Sequence, residues 1–549
     1  MGYARVRSVG LIGLDGHLVE VEADLASGLP GFVISGLPDL AVSQSRDRVR
    51  AAILNSGEEW PNRRITVNLL PAFLPKRGSG FDLAVAAAVL CASGAVPAVA
   101  LAGAVVIGEL GLDGSVRGVR GVLPAVLAAH RAGISRVVVP TSNLREARLV
   151  PGLQAVGVGS LRELCRFLRG ELPAARPGDL EDGTGPHGVP GEVSHSSVEE
   201  RGGRGERRDG DASSTGFSSP ATVGETSANE PDLCDVAGQE RGRRALEVAA
   251  AGGHHLAFFG PPGAGKTMLA ERLPSILPSL DDEAALEVSA VHSLAGLLPD
   301  DGSLIRRPPY QAPHHTVSTA ALVGGGSGVA RPGMISLAHR GVLFIDEAPE
   351  MKASTLDALR EPLEKGEITL ARSQGGARYP ARFQLVLAAN PCPCASAAGD
   401  RECTCSPVVR RRYLGRISGP LLDRIDIQVE LLPLTTAHMY ADRGDMESSA
   451  TVAERVIKAR AAAAARWSAA GASWRTNAEV PAAVLRTVPW RLPRSVTMPA
   501  ERYVDRGLLS ARGYSQALRV AWTIADLAGR DRPDVGDVSE AIQLRMRGR

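Results

Sequence analysis

The run Leu256-Ala-Phe-Phe259-Gly260-Pro261-Pro262-Gly263-Ala264-Gly265-Lys266-Thr267-Met268-Leu269-Ala270-Glu271 decides how the rest of the chain is read. A strand-like apolar tetrapeptide leads into G-x-x-x-x-G-K-T and a helix-like segment follows, the setting in which such a loop binds phosphate. Glycines let the backbone wrap a triphosphate with its N–H groups, and the helix start adds its positive end. Gly260, Pro261, Pro262, Gly263, Ala264 and Gly265 are therefore the expected cradle, with Lys266 on the β- and γ-phosphates and Thr267 on Mg²⁺. A second motif, Val342-Leu-Phe-Ile-Asp346-Glu347, ends an apolar strand in two acids. Asp346 is expected in the Mg²⁺ shell and Glu347 as the group that polarises the attacking water, so ATP hydrolysis is implied.

Working outward, 549 residues are too many for one core and point to several domains. The 62 basic and 60 acidic residues nearly cancel, so bulk charge neither demands nor excludes nucleic acid. No apolar run approaches the roughly 20 residues that span a bilayer, and the N-terminus lacks a signal-peptide pattern. The expectation is a cytoplasmic protein without a membrane partner. Seven cysteines, four of them crowded together, do not read as a secreted disulfide framework.

Residues 1–172 alternate strands and helices. Val19-Glu-Val-Glu-Ala has period two, Ile65-Thr-Val-Asn-Leu reads as a strand and Asp82-Leu-Ala-Val-Ala-Ala-Ala-Val-Leu as a buried helix. Ala104 to Arg117 reads as a hairpin, and Ala125 to Pro140 as a helix followed by a strand. Leu74-Pro-Lys-Arg-Gly, Gly108-Glu-Leu-Gly-Leu-Asp-Gly and Leu127-Ala-Ala-His-Arg-Ala-Gly-Ile resemble the proteolytic domain of Lon proteases. That resemblance implies an α+β fold like ribosomal S5 domain 2. It sets Gly80 at the serine position and Leu123 at the lysine position of the Lon dyad, with Ser79 offset by one, so a non-proteolytic relative is expected.

Residues 173–230 are rich in Gly, Ser, Pro and charge and scarcely contain a large apolar side chain, which predicts a disordered linker. Residues 231–433 return to strands alternating with helices, which predicts an α/β P-loop core with a mainly parallel sheet. Val291 to Ser336 reads as an insertion projecting from that core, and His314 and His315 as a turn or a substrate contact. A period-two hairpin follows, with Arg372, Arg378 and Arg382 near its turn and Tyr379 among them. It either tracks a phosphate backbone with charge and one stacking ring, or is basic only for solubility. Asn390 closes the next strand, where it is suited to sense γ-phosphate. Arg424, on a short turn before a strand, is the candidate arginine finger offered to a neighbouring subunit.

Gln311-Ala-Pro-His-His-Thr, Pro332 to Glu347, Asn390-Pro-Cys-Pro-Cys and Ser418-Gly-Pro-Leu-Leu-Asp-Arg-Ile-Asp together resemble the YifB/ComM family of magnesium-chelatase-like AAA+ ATPases. The resemblance implies a ring, a homo-hexamer, that moves single-stranded or branched DNA as a helicase or branch-migration motor during natural transformation. An alternative in the same resemblance is a chelatase-type ATPase subunit that remodels a protein partner. Chelatase motor subunits are not expected to carry the Lon-like domain. A Lon-like ATP-dependent protease is disfavoured by Gly80 and Leu123.

Two features remain. Cys392-Pro-Cys394 and Cys403-Thr-Cys405 can supply four thiolates to a structural Zn²⁺, although their spacing is tighter than the usual C-x₂₋₄-C; reduced thiols or a redox pair are the alternatives. Residues 434–549 read as helical and resemble an AAA+ lid, which implies Arg519 at the sensor-2 position and Arg512 as the neighbouring candidate.

Overall fold

The structure is a computed structural model that describes residues 2–171, 231–326, 331–370, 376–394, 403–433 and 446–546. The linker expected at 173–230, Arg372 and the first residues of the expected lid lie outside the described residues.

Period two builds the N-terminal sheet. In Asp15–Ala26, Val19, Val21, Ala23 and Leu25 are buried on one face. This strand pairs antiparallel with Gly2–Ile12 on one side and with Arg64–Leu70 on the other. The sheet has seven strands and ends in Ala104–Val106, Arg136–Pro140 and Gln154–Val158, all parallel. Helix Asp82–Ser93, buried from Asp82 to Ala92, lies across the first two strands. Segment 104–117 differs from the single hairpin expected. Ala104–Val106 is an interior strand, and the hairpin is confined to Glu109–Leu110 against Val116–Arg117. Three consecutive buried residues mark a strand covered on both faces, and turn chemistry starts only after it.

The second sheet is wholly parallel. Its order is Tyr310–Gln311, Val342–Ile345, Gln384–Ala389, Leu256–Phe259, Ile427–Glu430. Phe258, Phe344 and Val386 enter one apolar layer, and Ala257, Leu343 and Leu385 enter the opposite one. Both faces are thus covered, as a parallel sheet requires. The order sets the ends of the three motif-bearing strands side by side, where such sheets bind ligands. Tyr310–Gln311 corrects the reading of 291–336 as a projecting insertion, because a two-residue edge strand of the core lies within it. Its period is too short to be seen in sequence.

Helices Ser449–Ala469, Arg494–Asp505, Ala511–Leu527 and Val535–Gln543 close the first layer. Trp467 is fully buried against Trp490 and Trp522, and its indole N–H donates to Asn477 Oδ1 at 3.0 Å. Helix Asp282–Ala295 joins the two bodies. Its Leu286 and Ala290 enter the N-terminal layer around helix Val122–Arg131, while Ser293 Oγ donates to Glu146 and Ser293 O accepts from Gly121 N–H. Among the described residues, no helix is long and apolar enough to cross a membrane.

Candidate active site

Strand Leu256–Phe259 delivers the loop Gly260 to Gly265 to the N-terminus of helix Lys266–Ile276. Gly263 and Gly265 have φ of +75° and +83°, and a Cβ at either would meet open space. Their glycine identity is therefore set by backbone conformation and leaves the loop clear on the ligand side. Lys266 Nζ donates to Gly260 O at 2.8 Å, to Pro261 O at 2.9 Å and to Asn390 Oδ1 at 2.9 Å. Burial lowers the Lys266 pKa, and the Asp346 and Glu347 carboxylates oppose that shift. A buried ammonium inside a ring of carbonyls is ready to exchange them for phosphate oxygens.

The Mg²⁺ candidates also converge. Thr267 Oγ1 donates to Asp346 Oδ2 at 2.7 Å, so a hydroxyl and a carboxylate from two elements face one point. That donor set suits Mg²⁺, which prefers oxygen ligands shared with substrate phosphates. Glu347 follows with φ +46°, a left-handed conformation costly for a side chain other than glycine. It turns the carboxylate away from the strand, toward a cavity of about 290 Å³ lined by Thr267, Tyr310, His315, Asp346 and Glu347.

Arg424 lies at a separate place. Its guanidinium pairs with Glu364 and donates to Pro420 O at 2.5 Å. Arg512 joins the same group, 3.7 Å from Glu364 and 3.8 Å from Asp423. Arg519 does not join it: its Nε donates to Val480 O at 2.7 Å, and burial lowers its pKa. On the hairpin, Thr369 pairs with Arg378 and Ile368 with Tyr379. Arg378 and Arg382 are exposed. Tyr379 departs from the expectation of a base-stacking ring. It is 1% exposed and packs with Leu14, Leu294 and Leu370, because the first N-terminal turn lies on the hairpin. The Sγ atoms of Cys392, Cys394, Cys403 and Cys405 all lie within 4.8 Å of one another, so this group can hold a metal.

Residues 232–439 match the family described as magnesium chelatase, subunit ChlI, residues 21–143 match subunit ChlI of Mg-chelatase, and residues 446–545 match the ChlI C-terminal family. Competence protein ComM of Haemophilus influenzae is 38% identical, with 99% of this chain and 98% of the relative covered. YifB of Escherichia coli is 38% identical, with 99% and 97% covered. The chain belongs to the YifB/ComM family. An uncharacterized protein of Mycobacterium tuberculosis is 51% identical, with 100% and 99% covered. The YifB/ComM core is a magnesium-chelatase-like AAA+ module of an ATPase family, and beside its loop Lys266 meets Asn390 and Thr267 meets Asp346.

Two contacts escaped sequence reasoning, one at this YifB/ComM site through His315, read only as a turn or substrate contact, and one at the separate Arg424 group. His315 Nδ1 lies 3.2 Å from Glu347 Oε2. Glu364 holds Arg424 and lies near Arg512. The adjacency of Tyr310–Gln311 to Val342–Ile345 would have pointed to the contact between His315 and Glu347, but a two-residue strand leaves no periodic signal.

Proposed function

We propose that this chain works as a ring of six copies that uses ATP to move single-stranded or branched DNA, as a cytoplasmic helicase or branch-migration motor in recombination during natural transformation. The observation that carries the proposal is the exposed pair Arg378 and Arg382 on the segment between the acidic strand and the strand of Asn390. Exposed guanidinium groups follow a phosphate backbone by charge. The name of the Haemophilus influenzae relative, a competence protein, supports a DNA substrate.

In this reading the P-loop amides and Lys266 bind the triphosphate. Bound Mg²⁺ neutralises phosphate charge, held by Thr267 and Asp346. Glu347 takes the proton of the attacking water, Asn390 orients it, and a neighbour's Arg424 meets the developing charge. Arg512 and Arg519 report lid position. A structural Zn²⁺ in the four-cysteine group completes the proposed cofactors. The N-terminal domain is a Lon-like fold without proteolysis: Leu123 is a buried apolar side chain, Gly80 has none, and Ser79 Oγ donates to Glu109.

Steady-state ATP hydrolysis, alone and with single-stranded or four-way-junction DNA, tests the proposal, with Glu347→Gln as the blank. Several-fold stimulation, strongest on branched DNA, weakened by salt and lost in Arg378→Glu with basal turnover kept, is expected. A flat response to DNA overturns the motor and leaves the ATPase. The second reading, a chelatase-type subunit acting on a protein, is favoured by the ChlI descriptions of all three matched segments. Since residues 21–143 are among them, the N-terminal domain does not argue against it.

A further inference from the structure

We propose that one Zn²⁺ held by Cys392, Cys394, Cys403 and Cys405 clips the end of the Asn390 strand to the segment leading to Arg424, and that ATP turnover therefore depends on the metal. This rests on the zinc assignment and adds a function to it.

None of the four cysteines is in a disulfide. Cys392 and Cys394 Sγ are 2.9 Å apart, Cys403 and Cys392 3.3 Å, and Cys394 and Cys403 3.5 Å. Tetrahedral Zn–S bonds of about 2.3 Å set neighbouring sulfurs about 3.8 Å apart, so each of these edges needs to open by less than about 1 Å. Both C-x-C pairs turn their sulfurs to one point despite the single intervening residue. Cys392 is 3% exposed, which shields the group from one side. Cys405 precedes Ser406, whose side chain caps helix Pro407–Leu414 by accepting from Val409 N–H.

The position gives the ion its function. Cys392 is two residues past Asn390, whose Oδ1 meets Lys266. Beyond helix Pro407–Leu414, Arg416 donates to Pro349 O at 3.0 Å, next to the turn after Glu347, and the chain then reaches Ser418 and Arg424. The metal thus ties the group facing γ-phosphate to the segment carrying the finger. Without it the Asn390 strand loses its outer tether, while the P-loop and Lys266, which bind ATP, are held by other contacts. Loss of zinc should therefore lower kcat and leave ATP affinity unchanged.

The test uses the full chain. Zinc is counted by elemental analysis, the site is probed by Co²⁺ substitution for the absorption bands of a tetrahedral tetrathiolate, and kcat and ATP-analogue affinity are measured before zinc removal, after it and after zinc return, in saturating Mg²⁺. The expectation is about one zinc per chain, a fall in kcat of about tenfold or more with affinity kept within about twofold, and recovery on return. Cys403→Ser with Cys405→Ser should reproduce the metal-free state. If that variant fails to fold, removal and return of zinc on the wild-type chain decide. Zinc present with kcat indifferent to its removal overturns the clip and leaves the zinc site. Loss of kcat and ATP affinity together also overturns the clip, since it marks general unfolding. Absence of both zinc and the Co²⁺ bands overturns the zinc assignment itself.

Discussion

His315 Nδ1 lies 3.2 Å from Glu347 Oε2, so the carboxylate expected to activate water is engaged by a side chain from the turn that follows the edge strand Tyr310–Gln311. That contact draws the carboxylate oxygen toward the imidazole and away from the cavity where water would meet it. His315→Ala should raise basal ATP hydrolysis. Both side chains are partly exposed, and such pairs are worth up to about 1 kcal/mol, so the rise should be no more than about fivefold. Turnover without DNA is the measurement, and a fall would instead give His315 a supporting role toward Glu347.

The helix between the two bodies carries a pH-dependent contact. Glu287 Oε2 accepts from His339 Nε2 at 3.2 Å and from Arg340 at 3.0 Å. His339 Nδ1 accepts the Arg382 backbone N–H, which fixes the neutral tautomer with its proton on Nε2. The His339 hydrogen bond, with Arg340, lowers the Glu287 pKa from 4.5 to about 2, against the effect of burial. A carboxylate with a depressed folded pKa adds stability that is complete above its unfolded pKa and is lost as pH falls through the folded one. Glu287→Gln should therefore lower Tm at pH 7, by about 1–3 °C once solvent screening of this half-exposed group is allowed for. The gap from wild type should close between pH 4.5 and about 2. Melting curves across that range check it, and a gap constant with pH would refute an ionic origin.

The C-terminal helices depend on one side chain more than on others. Trp467 is fully buried, packs with three other tryptophans and donates to Asn477, which also bonds Asp526 at 2.8 Å. Trp467→Ala removes that ring and leaves a buried acceptor unpaired. A cost of about 3–5 kcal/mol is expected. Denaturant titration of the C-terminal transition measures it, and a change below about 1 kcal/mol would mean that the neighbouring rings collapse into the space.

What sequence revealed and what it hid divide along the range of the forces involved. Gly263, Gly265, Lys266 and Thr267 are legible because phosphate chemistry fixes residue type at fixed spacing within one turn. Asp346 and Asn390 are legible because each ends a strongly apolar strand. Tyr379 was misread because its burial depends on Leu14, more than 300 positions away in the chain, and no local pattern records that contact. His315 reads in sequence as a turn residue or substrate contact, and it does sit in a turn. Its nearness to Glu347 was hidden for a similar reason: the two lie 32 positions apart and meet only through the pairing of Tyr310–Gln311 with Val342–Ile345. Helix Asp282–Ala295 has apolar residues over much of its surface, yet only the fold shows that part of that surface seats the N-terminal domain.

Arg424 pairs with Glu364 in the single chain, and Arg512 lies 3.7 Å from the same carboxylate. A finger serving a neighbour must leave Glu364 for a phosphate, so its loss should leave ATP binding intact and lower hydrolysis by about 10³-fold. Lys266→Ala should abolish hydrolysis through the phosphate contact. Mixing the two inactive variants then separates trans from cis action. A ring site formed by the P-loop of an Arg424→Ala chain and the finger of a Lys266→Ala chain contains both groups. With random assembly of equal amounts, about one quarter of sites are intact in this way, so the mixture should regain up to about a quarter of wild-type turnover. If Arg424 served its own chain's nucleotide, every site would lack one group, and the mixture would stay as inactive as its parts.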